Sequence, residues 1–309
     1  MRNQPYEKLI LGKSTVEFNR WVSIRDTSWP YQVFKKHTQE LNKMMWANEP
    51  STRFVYEQLK TKGATWKDKA SKHIDFTVKD GSEIFTDLKD WSESYNQFQN
   101  WTNLNGLMAV TSNFETYITS VLSLALESDP GLIYKSSKSV DGMALIKSGA
   151  HKFPFENEII VAITKGDWNS RISAMNKYFD FVPSSMSSNI GRLEKIRTLR
   201  NKVGHAFGRD IENSRINEVK ETLPIEKLTT PNFIKIRKLI WQCVTELDRH
   251  LLDNHIGEFQ IIKYFHSIEP ELKGTQDNKA MVFKKKIGKF GDLSGKKYCR
   301  GLVDYYYSL

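Results

Sequence analysis

The sequence predicts an all-α protein, in the main a helical bundle. Three observations carry that expectation. Apolar residues recur at three- and four-residue spacing in most segments, which is the period of an amphipathic helix. Asp, Ser and Pro-Gly clusters stand where those segments start or stop. Only one stretch alternates apolar and polar residues in the manner of a half-buried strand.

Taken in chain order, V-E-F-N-R-W-V-S-I-R-D (16–26) and Y-Q-V-F-K-K-H-T-Q-E-L-N-K-M-M-W (31–46) read as amphipathic helices, punctuated by Pro30 and Pro50. H-I-D-F-T-V-K-D-G-S-E-I-F-T-D alternates on both sides of Asp80-Gly81. Asp-Gly supplies the positive φ of a tight turn, so a short β-hairpin is expected near 74–86. Leu104 to Leu126 is apolar around most of its circumference and reads as a central, buried helix that Asp129-Pro130-Gly131 ends. Residues 134–154 are rich in Ser, Lys and Gly and read as a loop. Asp167 is placed to cap a helix beginning W-N-S-R-I-S-A-M. V-P-S-S-M-S-S-N reads as a turn. A helix from Ile190 to about Val203 follows, with Gly204 and Gly208 favouring its end. A strong amphipathic helix runs from Asn232 to Leu252 and a shorter one spans E-F-Q-I-I-K-Y-F. The expected organisation is an N-terminal helical domain over 1–95, a helical domain over 96–270 and a basic tail over 271–309.

A chain of 309 residues with 39% apolar content can bury a core. The net charge of +10 favours a polyanionic partner, either nucleic acid or an anionic surface. Six of the eight Trp lie in the first 101 residues and are expected to fill an N-terminal core. The two cysteines, Cys243 and Cys299, suggest no disulfide framework. The first ten residues lack the apolar region of a signal peptide, and no segment is apolar enough to span a bilayer. The expectation is a cytoplasmic protein without membrane partners. Phosphate-binding glycine loops, C-x-x-C, H-x-x-x-H and G-x-S-x-G are all missing. The acids Asp87 and Asp90 read as a solvent face. Any catalysis is therefore expected to use neither metal nor cofactor.

R-L-E-K-I-R-T-L-R-N-K-V-G-H-A-F-G-R-D (192–210) holds six Arg or Lys against two acids and places His205 after a glycine. It reads either as a solvated helix face or as a site that holds and cuts a phosphodiester. Metal-free RNA cleavage needs a base for the ribose 2′-OH and a cation for the charge that builds on phosphorus. An imidazole and a guanidinium meet those needs at neutral pH. Asn201 adds a neutral donor and acceptor. Five residues along one helix turn through about 140° and rise about 7.5 Å, so Arg200 and His205 do not face the same way on an unbroken helix. Either the helix loosens at Gly204, or two chains pack their helices across a two-fold axis. A second pair, Arg249 and His255 in R-H-L-L-D-N-H, lies among acids and reads as structural.

R-N-K-V-G-H (200–205) resembles the R-[polar]-x-x-x-H signature of HEPN domains, helical domains found in many toxin and antiviral ribonucleases. N-F-E-T-Y-I-T-S-V-L (113–122) is similar to the first long helix of HEPN groups related to RiboL-PSP. The resemblance covers residues 98–256. It implies a homodimeric, metal-independent endoribonuclease that leaves a 2′,3′-cyclic phosphate. Arg200 would bind the phosphate, His205 would handle the 2′-OH proton and Asn201 would be the polar residue of the signature. It further implies RNA as partner; an antitoxin or regulatory protein is a candidate second partner, and the N-terminal domain is of a size to sense a trigger or bind an inhibitor. From its position in the buried stretch, Glu115 is a candidate to orient Arg200 or His205, with an inter-helix salt bridge as the alternative. Lys195, Arg197, Lys202 and Arg209 would widen an RNA-binding groove, or simply form a solvated face. Some HEPN proteins are non-catalytic binding modules. An unrelated DNA-binding or scaffold role would use the same basic helix, without a convincing recognition helix.

Overall fold

The computed structural model describes residues 16–150, 156–217 and 223–309. The first ten residues and positions 151–154 of the expected loop lie outside them. All regular structure among the described residues is helical. The first helix, α1, spans Trp29–Thr61. Pro30 falls in its first turn, where a missing N–H costs nothing, whereas Pro50 lies inside the helix instead of ending it.

The helix expected over 16–26 is not formed, and that stretch is irregular backbone. Its arginines explain why. Arg20 and Arg25 are buried, and both side chains are bonded to residues far along the chain. Those long-range contacts override a local helical pattern. The β-hairpin expected near 74–86 is also absent. A short helix, α2 (Lys79–Glu83), occupies its centre, and Gly81 does not take a positive φ. Instead of alternating across a strand, Ile74, Phe76 and Phe85 all pack on one cluster with Leu59, Leu88 and Trp91.

Helix α3 runs unbroken over Leu88–Ser128, starting earlier than expected and stopping before Asp129-Pro130-Gly131. It passes straight through the expected boundary at 95/96. Helix α4 (Gly142–Lys147) lies within the expected loop; Asp141 caps it, accepting from the Met143 amide at 2.8 Å. Helix α5 spans Glu156–Thr164. Helix α6 (Trp168–Phe179) has Asp167 as its N-cap, accepting from the Ser170 amide at 3.0 Å. Then come α7 (Ser184–Ser187), α8 (Ile190–Ala206) and α9 (Ile211–Asn217). Helix α10 (Thr230–Leu251) continues into a π-helical turn over Leu252–Ile256, and α11 follows over Phe259–Ile268. The segment expected as a basic tail holds α12 (Gln276–Gly288) and α13 (Lys296–Ser308), with Phe283, Tyr298, Leu302 and Val303 fully buried.

The chain forms two compact units, neither of them contiguous. Of the described residues, the first collects those within 16–35, 114–194 and 239–309, the second those within 36–113 and 195–238. The changeovers fall inside α1, α3, α8 and α10, not in linkers.

In the first unit, Phe114, Tyr117, Ile118, Val121, Leu122, Ala125 and Leu126 follow the three-four spacing along α3 and are all buried. Charge inside this unit is matched group by group. Arg25 bonds Glu258, Asp292, the Tyr298 hydroxyl and Ser294. Arg20 bonds Asp141 at 3.0 Å and the Ile256 carbonyl at 2.9 Å. Asp248 accepts from the Ser28 amide at 2.9 Å and the Tyr117 hydroxyl at 3.1 Å; its burial pushes the carboxyl up to about 6. Cys243 and Cys299 are free and buried, which raises the thiols to about 11 and about 12.

The second unit is built on the Trp91 cluster and on Leu104, Leu107, Val110 and Phe233. A Cβ on Gly106 would stand 2.8 Å from the Phe233 ring, so that close approach requires glycine. The expectation that the early tryptophans fill a core fails here. Trp91 is buried, but Trp46, Trp66 and Trp101 are exposed. Among the described residues no helix is long and apolar enough to cross a membrane.

Candidate functional site

Helix α8 carries the basic stretch. Leu193 and Ile196, three positions apart, are buried, and the polar residues between and after them take the other faces. The helix does not loosen at Gly204. It runs to Ala206 and ends where Phe207 and Gly208 turn left-handed, with φ of 53° and 80°. The Gly208 amide then donates to the Lys202 carbonyl at 2.9 Å. A Cβ on Gly208 would meet Ile225 at 3.0 Å and Leu104 at 3.2 Å, so both space and backbone demand glycine. Asp210 caps the next helix, accepting from the Asn213 amide at 3.0 Å, and the chain turns back as α9.

This local fold sorts the expected site residues. Arg200 is half-buried and donates from Nη1 to Asn201 Oδ1 at 3.2 Å, so the signature's arginine and polar residue are adjacent partners. His205, in the last turn of the same unbroken helix, is exposed. It has no hydrogen bond or ion pair among the described residues. It lines a cavity of about 440 Å³ together with Ala206, Ile211, Ser214 and Arg215.

The four flanking cations divide. Lys202 is held by Glu226 at 2.7 Å and by Asp210 at 3.7 Å, and the Glu226 hydrogen bond raises its ammonium pKa. Arg209 donates from Nε to the Leu223 carbonyl at 2.8 Å and lies over the Phe207 ring. Arg197 is half-buried. Lys195 is exposed and has no ion-pair partner among the described residues. Glu115 sits 3.9 Å from Arg171 of α6, an inter-helix ion pair.

Of the second pair, His255 is built into the core, as the sequence suggests for a structural residue, whereas Arg249 is not. His255 is 6% exposed, and its Nδ1 lies 3.1 Å from a fully buried Asp129 carboxylate. The Phe179 ring packs on it edge to face. Arg249 is exposed. His250 stacks on Phe181 with centroids 3.6 Å apart, and burial together with His255 lowers its pKa to about 4.

Sequence reasoning missed Ser214 and Arg215. The signal was present in D-I-E-N-S-R, where Asp210 is a recognisable N-cap. That the short helix after it returns to His205 depends on the left-handed pair at 207 and 208, which no periodicity displays. No group of three or more His, Cys, Asp or Glu able to hold a metal occurs among the described residues. In comparison with known proteins, the chain matches no family model, no curated sequence and no solved structure.

Proposed function

We propose that this chain is a metal-independent endoribonuclease of the HEPN kind, acting as a toxin or antiviral defence effector. The observation that carries the reading is the setting of His205: an exposed imidazole, committed to no other group among the described residues, at the mouth of a cavity on a basic helix. The resemblance of R-N-K-V-G-H to the HEPN signature supports it. In this reading His205 takes the proton of a ribose 2′-OH. The 2′ oxygen attacks the adjacent phosphorus, the bond from phosphorus to the 5′ oxygen breaks, and the proton held by the imidazole passes to that oxygen directly or through water, leaving a 2′,3′-cyclic phosphate and a 5′-hydroxyl. Arg200, braced by Asn201, neutralises the charge that develops on the phosphoryl oxygens.

Because α8 is unbroken, Arg200 and His205 of one chain diverge by about 140°. The reading therefore takes a homodimer in which two α8 segments line one cleft. RNA is the substrate, and an antitoxin or regulatory protein restrains the activity.

The test incubates purified protein with end-labelled RNA in EDTA. Wild type is expected to release fragments ending in a cyclic phosphate, and His205→Ala to cleave at least about 100-fold more slowly. Intact RNA with wild type overturns the reading. Sedimentation at micromolar concentration should give a dimer.

One observation favours a second reading, a non-catalytic RNA-binding module. Phe98 and Trp101 are exposed and stack on one another, centroids 5.7 Å apart and 25° from parallel, a surface on which a base can stack. Equal RNA binding by wild type and His205→Ala, with no cleavage by either, is its signature.

A further inference from the structure

We infer that the cavity beside His205 is a phosphate subsite within a single chain, with Arg215 as its cation and Ser214 as its hydroxyl donor. Its lining argues for an anion. Among the described residues it holds one permanent cation (Arg215), one titratable ring (His205), one hydroxyl (Ser214) and the apolar Ala206 and Ile211, and no carboxylate. Of the two acids that flank Ile211 in sequence, Asp210 is engaged by Lys202 at 3.7 Å and by the Asn213 amide at 3.0 Å, and Glu212 is exposed and is not among the described lining residues. Arg215 is exposed, with no hydrogen bond or ion pair among the described residues.

Ser214 supplies an independent observation. The residue is 5% exposed, yet its Oγ has no hydrogen-bond partner among the described residues. A buried hydroxyl without a partner is costly, and in a residue that lines a cavity it is a donor that a ligand there, met by rotation about the Cα–Cβ bond, would complete. A phosphate oxygen accepts from a hydroxyl and from a guanidinium together. The volume of about 440 Å³ admits a phosphate group with part of the sugar that carries it.

The geometry accounts for this pairing. Arg200 and His205 share one helix and face different ways, whereas α9 doubles back after the left-handed turn and brings a second arginine to the imidazole's own cavity. Arg215 is thus the guanidinium that meets His205 without a second protomer. Only the identification of the phosphate as one belonging to RNA rests on the nuclease reading.

The experiment titrates the full chain with inorganic phosphate and follows the His205 imidazole resonance by NMR, assigned by its loss in His205→Gln. The wild-type resonance should shift saturably. Arg215→Ala, at an exposed position, should weaken binding at least about tenfold, Arg215→Lys should recover part of it, and Ser214→Ala should weaken it about fivefold. A wild-type resonance that phosphate leaves in place overturns the subsite, as does an Arg215→Ala titration that superimposes on wild type. RNA cleavage by the same proteins separates the two claims. Phosphate binding lost in Arg215→Ala, in a wild type that leaves RNA intact, keeps the subsite and removes the nuclease. Cleavage by wild type with phosphate binding unchanged in Arg215→Ala does the reverse.

Discussion

His205 and His255 each follow an arginine by five or six residues, yet their surroundings are opposite. His255 is 6% exposed, bonded to the buried Asp129 and packed on Phe179. His205 stands open on a cavity, without a partner among the described residues. The contrast extends to the units that hold them. In the first, Arg20 and Arg25 are buried and bonded to carboxylates, a carbonyl and a tyrosine hydroxyl. In the second, Lys195 and Arg215 face solvent. Charge that is matched internally holds a fold together, and charge left outside is available to a ligand. Spacing in the sequence does not separate the two cases, but burial does.

The largest effect that tests the contrast is at Arg25. Removing it as Arg25→Ala leaves Glu258 and Asp292 buried without their cation and should cost about 3–5 kcal/mol in urea unfolding. Arg215→Ala, measured in parallel, should shift stability by less than about 0.5 kcal/mol. Equal losses would erase the distinction. Next comes an exchange at the histidines. His255→Ala should lose about 2–3 kcal/mol, through its hydrogen bond and its packing, whereas His205→Ala should leave the unfolding midpoint in place while abolishing cleavage.

How far the sequence reaches follows the same line. Local signals were legible: the Asp167 cap, the stop at Asp129-Pro130-Gly131 and the helix after Pro231; His255 is structural as expected, but through the distant Asp129 and not through its acidic neighbours in sequence. Residues 16–26 misled because their helical pattern is outweighed by bonds from Arg20 and Arg25 to positions more than a hundred residues away. The stretch at 74–86 misled because its alternating apolar residues serve a cluster, not a sheet face. Arg200, Asn201 and His205 were singled out by residue type and order. Arg215 was not, because the turn that presents it to the cavity joins two helices whose patterns say nothing of their relative course.

A finer test uses pH. His250 has its pKa lowered to about 4 by burial and by His255, so the unfolded chain binds its proton first. The stability this neutral ring contributes is fully present above about 6.5 and is lost as pH falls toward about 4. Asp248, raised to about 6 by burial, works in the opposite sense: its contribution is present below about 4 and is lost as pH rises through about 6. Unfolding midpoints between pH 4 and 7 should therefore rise less with pH in His250→Gln than in wild type, and rise more in Asp248→Asn. The smallest effect lies on the open side. Lys195→Ala should lower the salt slope of RNA binding by about one and leave stability unchanged, as measured by titration at several ionic strengths.

The bonds from Arg25 to Asp292 and Ser294 span 267 and 269 residues. At a synthesis rate of about 5–20 residues per second, those partners leave the ribosome roughly 15–50 seconds after the arginine they satisfy. For that interval a nascent chain carries Arg25 without the partners that match it. Helical hairpins can form early, but this closure awaits the turn between α12 and α13, and a message cut short before it leaves the buried arginine without its carboxylate.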